Sequence, residues 1–410
     1  MNGPPLDGGW LRIERGRITA VGRRSPPDAA IDLGDAIILP GLVNAHTHLE
    51  FSACKAPLDP SGGLPSWIER VVHLRRSQGT IPGSDERGAD HAIHQGLTES
   101  AAGGVTTIGE IATLAPAAAY TTAGPRVRVY REGLGLSVAA IRQTRSRLAS
   151  EWPSGSSPTP LGGLSPHAPY SVAAPLGRWL IETARRRRLP VAMHIGESPD
   201  ERELLASGTG RFRSLLESLG AWPTDPPPCL LPAAEWITEL ACAPRGIVVH
   251  GTFLPADPLA MARLARHRDR LAVAICPRTT LALSGRLPPL AEFRDAGLRV
   301  ALGTDSRASN PDLSVLAECR TLVDGGLASP EEALVMATRH GAWALMLDHR
   351  CGLLAPGRPA DLMILRPPVS HPDPFTAALD PATQIIATLR SGRLIYGRIE
   401  GNANPRGVLQ

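Results

Sequence analysis

The chain has 410 residues, 43% of them hydrophobic and 20% charged, enough to bury a large core in one big domain with a smaller one beside it. The net charge of +4 is carried almost wholly by arginines scattered along the chain, with Lys55 the single lysine, which argues against a nucleic-acid-binding stripe. Six cysteines without a CxxC pair, no N-terminal apolar run and no membrane-length apolar stretch point away from a secreted or membrane protein and toward a reduced, cytoplasmic one.

The first stretch, residues 8 to 39, alternates polar and apolar residues around glycine turns, as in Trp10-Leu11-Arg12-Ile13 and Arg17-Ile18-Thr19-Ala20-Val21, and reads as paired strands. Eight short, β-rich apolar runs come next, each ending in polar or titratable residues: 37–48, 104–110, 126–135, 161–170, 189–198, 246–254, 271–280 and 298–306. Segments long enough for helices separate them, among them 86–102, 138–151, 176–187, 215–220, 258–267 and 313–324. The basic run Arg185 to Arg188 closes one of these segments, where cations complement the helix dipole, and so reads as a helix end rather than a binding patch. The proline-rich piece 223–232 reads as a long loop between the fifth and sixth runs.

Strand then helix, eight times over, predicts an α/β fold, a (β/α)8 TIM barrel. Residues 352 to 399 alternate as the first stretch does, and the two ends are expected to pair as one small β-sandwich. The expected domains are therefore 1–38 with 352–410, discontinuous in sequence, and a barrel over 39–351.

Catalytic side chains of such barrels collect at the C-terminal ends of the strands. His46 and His48 end the first run two residues apart, so they point to one side of a strand and can bind one cation. His167 ends the fourth run, His194-Ile195-Gly196-Glu197 the fifth, His250 the sixth and Asp305 the eighth. A carboxylate beside a metal, such as Glu197, can take and give protons, and Gly251 next to His250 allows close approach of backbone or substrate. The other seven histidines, His73, His91, His94, His267, His340, His349 and His371, fall in helix-like or loop segments and read as surface or core residues.

This order, HTH, then HxxE, then His, then GTDS, resembles the amidohydrolase superfamily in its cytosine deaminase and chlorohydrolase-like (ATZ/TRZ) branch. The flanks Ile38 to Asn44 and Gly352 to Leu362 resemble that family as well, so the likeness covers almost the whole chain. It implies that His46, His48, His194 and Asp305 hold one divalent metal ion, zinc or, as the alternative, iron. It further implies that Glu197 shuttles protons and that His250 polarises the reacting group. Some members bind a second metal through a carbamylated lysine, and Lys55, just past the first run, is the only lysine, so one metal is expected. Zinc-type coordination lowers the pKa of bound water from 15.7 to roughly 7. The resulting hydroxide, oriented by Asp305, would attack an amidine-like ring carbon while Glu197 protonates a ring nitrogen and the amine leaves as ammonia. The implied activity is hydrolysis of a non-peptide carbon–nitrogen bond, with a small molecule as partner and a homodimer as the expected assembly.

For the substrate, Ser165-Pro166-His167-Ala168-Pro169-Tyr170 resembles the segment that sends a histidine toward the substrate in deaminases of adenine nucleoside-like compounds. His48-Leu49-Glu50-Phe51-Ser52 with Leu64-Pro65-Ser66-Trp67-Ile68 looks like the aminodeoxyfutalosine deaminases of menaquinone biosynthesis, whose substrate is a 6-aminopurine nucleoside carrying a benzoate. His167 is then a substrate contact, Trp67 could stack on an aromatic ring, and Arg278 or Arg307 could meet a carboxylate. Two features depart from the family. Cys276 to Leu283 lacks its usual histidine and aromatic residues, and only 36 residues precede the first run, so that a strand of the small unit is expected to be missing or the start codon misassigned. The alternatives are another cyclic carbon–nitrogen hydrolase, acting on guanine, methylthioadenosine or adenosylhomocysteine, an s-triazine or a cyclic amide, and a non-catalytic binding module, which would be expected to have lost its ligands.

Overall fold

A computed structural model describes residues 3–24, 26, 30–78, 87–114, 117–120, 123–151, 161–368 and 372–399. Glu86, His371 and the two extreme ends of the expected small domain lie outside the described residues. The chain opens with an antiparallel hairpin, β1 (Gly9–Glu14) and β2 (Arg17–Arg23), followed by β3 (Ile37–Pro40). Eight strands then recur through the chain: β4 (Leu42–Thr47), β5 (Val105–Ala112), β6 (Arg126–Gly133), β7 (Leu161–Pro166), β8 (Val191–Ile195), β9 (Gly246–His250), β10 (Leu271–Ile275) and β11 (Arg299–Leu302). They pair in sequence order and all in parallel, with helices between them, so the expected barrel forms.

The ring is closed by bonds rather than by a regular ladder. His46 O accepts the N–H groups of Thr304 and Asp305 at 3.0 and 3.1 Å, and Asp305 O accepts from His48 N–H at 3.1 Å. Thr47 Oγ1 adds a 2.6 Å bond to the same Asp305 carbonyl. Inside, the barrel is filled by Ala45, Ala192, Ala272, Ala274 and Ala301 together with Val43, Ile111, Ile247, Val249 and Tyr130. Strands buried on both faces need apolar side chains both inward and outward, which is why these runs read as continuous rather than alternating.

The chain ends with β12 (Leu362–Arg366), β13 (Gln384–Arg390) and β14 (Arg393–Gly397), which form an antiparallel sheet in the order β14, β13, β12, β3. The hairpin packs on it through Ile18, Leu11, Ile13 and Val21 against Leu362, Ile364 and Leu389. The first apolar run is therefore split between two sheets, Ile37–Pro40 in the terminal sheet and Leu42–Thr47 in the barrel. Gly41 makes the switch: its N–H bonds to Asp361 O at 3.0 Å, and a Cβ there would lie 2.2 Å from the Thr106 side chain. Gly41→Ala is accordingly expected to cost about 1–3 kcal/mol, seen as a lower urea midpoint at unchanged slope.

Several strands stop earlier than the apolar runs suggest. The seventh run continues past Ile275, but Pro277 takes the first helical position and residues Pro277–Ser284 form a helix. The helix Gly63–Gln78 is absent from the sequence reading because its Gly-Gly-Leu-Pro start carries turn residues. Among the described residues, no helix is long and apolar enough to cross a membrane.

Candidate metal centre

Five side chains meet at the C-terminal mouth of the barrel. His46 lies near the end of β4 with His48 just beyond it, His194 is on β8, His250 ends β9 and Asp305 follows β11. The His46 ring centroid is 5.0 Å from those of His48 and His194 and 5.6 Å from that of His250. His46 Nε2 and His48 Nε2 lie 3.6 and 3.7 Å from Asp305 Oδ1, and His48 Nε2 is 3.4 Å from His194 Nε2. Tetrahedral N and O donors around one zinc-sized cation are about 3.3–3.6 Å apart, so these spacings suit a shared ion better than direct hydrogen bonds. His250 joins His46 and His194 in a second overlapping set of donor atoms.

The electrostatics fit the same occupant. Both ring nitrogens of His46 and Nδ1 of His48 are buried with no hydrogen-bond partner, a costly state unless something else satisfies them. Burial, aided by the charge of neighbouring histidines, pushes His46 down to about 3 and His48 and His194 well below the usual histidine range. Such rings stay neutral, the form in which imidazole binds a metal. His194 Nδ1 lies 2.8 Å from His167 O, which fixes Nδ1 as the donor and leaves Nε2 facing the cluster.

Two strained backbone positions belong to the site. His250 and Asp305 hold positive φ of 64° and 55°, a left-handed conformation that costs about 1–3 kcal/mol for such residues and recurs at functional sites. For Asp305 the barrel-closing bonds to His46, Thr47 and His48 hold the conformation, while Ser309 Oγ donates to Oδ2 at 2.7 Å. Gly303 lets the last strand come close, since a Cβ there would lie 2.7 Å from His46 O.

Glu197 stands beside the donors. Its Oε1 is 3.1 Å from His250 Nε2, and its Oε2 accepts from Tyr170 Oη at 3.0 Å. Burial, with Glu201 and Asp305 nearby, raises its carboxyl well above the usual range. Glu201 in turn accepts the N–H groups of Gly196 and Glu197 at 2.9 and 3.0 Å and fixes the turn that carries the carboxylate.

His167 reaches the edge of the cluster, its ring 5.0 Å from that of His194 and its Nδ1 2.6 Å from Ser171 Oγ. Its Nε2 faces Glu132 Oε1 at 4.0 Å, one of three buried carboxylates gathered at this mouth, with Glu50 and Glu110. Arg75 pairs with Glu50 at 2.7 Å. Sequence reasoning did not single out these acids, because each sits alone on its own element and only the fold brings them together.

A cleft of about 470 Å³ opens onto Glu197 and His250 and is lined by Leu64, Phe253, Thr279, Thr280, Leu283 and Arg286, among others. Three expected substrate contacts are engaged elsewhere. Trp67 Nε1 donates to Ala308 O at 3.2 Å, Arg278 grips Asp312 at 2.6 and 3.2 Å, and Arg307 bonds to Glu99 Oε1 at 3.1 Å. Lys55 is exposed.

Comparison with known proteins gives the same direction. The sequence pattern of the amidohydrolase family matches residues 37–395. A 5-methylthioadenosine/S-adenosylhomocysteine deaminase of Moorella thermoacetica is 27% identical, the match covering 98% of this chain and 92% of that protein. An aminodeoxyfutalosine deaminase of Deinococcus radiodurans is 32% identical over 72% of this chain and 70% of that one. Among solved structures, the aminofutalosine deaminase of Helicobacter pylori in complex with methylthio-coformycin superposes with a TM-score of 0.82 at 24% identity, covering 95% of this chain and 96% of that one.

Proposed function

This chain belongs to the amidohydrolase family, and from that premise we propose that it removes the exocyclic amino group of a 6-aminopurine nucleoside by hydrolysis, releasing ammonia. The observation that carries the reading is the cluster of His46, His48, His194 and Asp305 with the Glu197–His250 contact of 3.1 Å at the foot of an open cleft. Relatives named as deaminases of aminopurine nucleosides support the substrate class. The four donors would hold one divalent cation, zinc in this reading with iron as the alternative, which supplies the Lewis acidity that makes water a nucleophile at neutral pH.

The chain's own groups manage the protons. Glu197 takes a proton from the attacking water as the new carbon–oxygen bond forms, and passes it to a ring nitrogen next to the attacked carbon. The carbon–amine bond then breaks, the amine leaves as ammonia with a proton delivered through Glu197, and the oxygen stays as the ring carbonyl. Burial with neighbouring carboxylates raises the Glu197 pKa, which suits a group that must hand on its proton. His250, kept neutral by burial that lowers it to about 3, polarises the attacked centre without adding a positive charge. His167 would contact the purine nucleoside.

Tyr170 tunes this carboxylate. Its hydrogen bond favours the ionised form and so lowers the Glu197 pKa. Tyr170→Phe removes that help, the carboxyl titrates at higher pH, and the acid limb of the kcat profile is expected to move up. A pH–rate profile checks it, and an unmoved limb would show that Tyr170 does not tune the carboxylate.

Among the named substrates, aminodeoxyfutalosine is the first to test, because its deaminase is the relative with the higher identity of the two described; turnover would place the enzyme in menaquinone biosynthesis, in the cytoplasm. The deciding experiment scores ammonia from metal-loaded protein with aminodeoxyfutalosine, 5′-methylthioadenosine, S-adenosylhomocysteine, guanine and an s-triazine. Release from the nucleosides supports the proposal. Release from guanine or the triazine alone overturns it.

A further inference from the structure

The cleft lining joins acid–base groups to a cation. Glu197 and His250 belong to it, and so does Arg286, just past the helix Pro277–Ser284, with its guanidinium 5.2 Å over the Phe253 ring. The other arginines near this rim are already committed. Arg211 lies 3.9 Å from Asp200, which with Glu197 supplies the carboxylates of the lining, and bonds to Ser66 Oγ at 2.9 Å. Arg278 and Arg307 hold Asp312 and Glu99. Arg286 has no ion pair among the described residues. A guanidinium resting on an aromatic face keeps its plane and leaves its N–H fork free, and that fork matches a carboxylate in two parallel bonds. Leu64, Leu283 and Phe253 add apolar surface to the same lining and Thr280 a hydroxyl, while the hydroxyls of Thr279 and Ser284 are bonded to Ser309 Oγ and Thr280 O.

We propose that Arg286 is a specificity-determining residue that receives a carboxylate on the distal arm of the substrate, so that the cleft selects a 6-aminopurine nucleoside with an anionic arm over one with a neutral arm. The proposal rests on the nucleoside reading above and deepens it. It separates the substrates by their chemistry. The arm of 5′-methylthioadenosine ends in a neutral thioether, which gives the guanidinium nothing to bind. S-Adenosylhomocysteine brings a carboxylate with an ammonium beside it, which offsets part of the attraction. An arm ending in a benzoate offers a carboxylate for the fork and an aromatic ring for the apolar wall.

The test compares metal-loaded wild type, Arg286→Met and Arg286→Lys on aminodeoxyfutalosine and 5′-methylthioadenosine. The ratio of kcat/KM for the anionic over the neutral substrate is expected to fall about 10- to 100-fold in Arg286→Met, the loss of a charge-assisted hydrogen bond, through KM rather than kcat. Arg286→Lys should recover part of the ratio. A ratio unchanged in Arg286→Met overturns the proposal. Benzoate alone reads the subsite without turnover: by calorimetry it should bind wild type and lose that binding in Arg286→Met, and equal binding to both also overturns it. If the wild type deaminates no nucleoside while benzoate binding still depends on Arg286, the nucleoside reading falls and the carboxylate subsite stands.

Discussion

Glu197→Gln is expected to slow ammonia release by about 10²- to 10⁴-fold, the usual worth of a positioned acid–base group, while bound metal stays at the wild-type level. Glutamine keeps the shape of the side chain and can still meet His250 and Tyr170, which lie 3.1 and 3.0 Å from the two carboxylate oxygens. It cannot accept a proton from water or return one to the leaving amine. The four expected metal donors are untouched by the change, since Glu197 is not among the donor atoms that cluster with His46 and Asp305. Steady-state kinetics together with metal analysis of the same preparation checks both halves. Full activity would exclude Glu197 as the shuttle, and loss of metal would make it a ligand instead.

His194→Ala should show the opposite pattern, losing the metal first and the activity with it. Zinc held by a full set of ligands binds with roughly 10–16 kcal/mol, so one donor of four is worth about 3–4 kcal/mol, or about 10²- to 10³-fold in affinity. His194 is a sensitive place to make the change, because its Nε2 lies 3.4 Å from that of His48 while its Nδ1 is tied to His167 O at 2.8 Å. Chelation of the wild type should abolish ammonia release, and added zinc should restore it to the wild type but not to the variant at the same free metal. Retention of stoichiometric metal by His194→Ala would remove this residue from the ligand set.

These two residues were readable from the sequence because their signals are local. His46 and His48 lie two apart at the end of an apolar run, so strand alternation aims them to one side, and His194 and Glu197 lie three apart after another, where Gly196 at φ 73° turns the chain beyond the strand. The barrel was readable for a similar reason: each strand is buried on both faces and announces itself as an apolar run. The walls of the cleft were not. Leu271 to Thr280 reads as one strand, and only the proline at the start of the helix Pro277–Ser284 turns Arg278 onto Asp312 and brings Thr279, Thr280 and Leu283 to the lining. The acids Glu50, Glu110 and Glu132 come from separate elements, and no spacing in the sequence marks their convergence. Arg286 follows a glycine and precedes Leu287-Pro288-Pro289, where the turn residues suggest nothing more than a loop.

The bonds between His46, Thr47, His48 and Asp305 also set a schedule. Thr47 and Asp305 are 258 residues apart in the chain, and a ribosome adding ~5–20 residues per second needs about 13–50 s to make that distance. Throughout that interval His46 and His48 exist without the aspartate that locks them. The complete set of donors comes into being only when the eighth strand joins the first, so a cation held by this set would be taken up by a finished barrel and not by a growing chain.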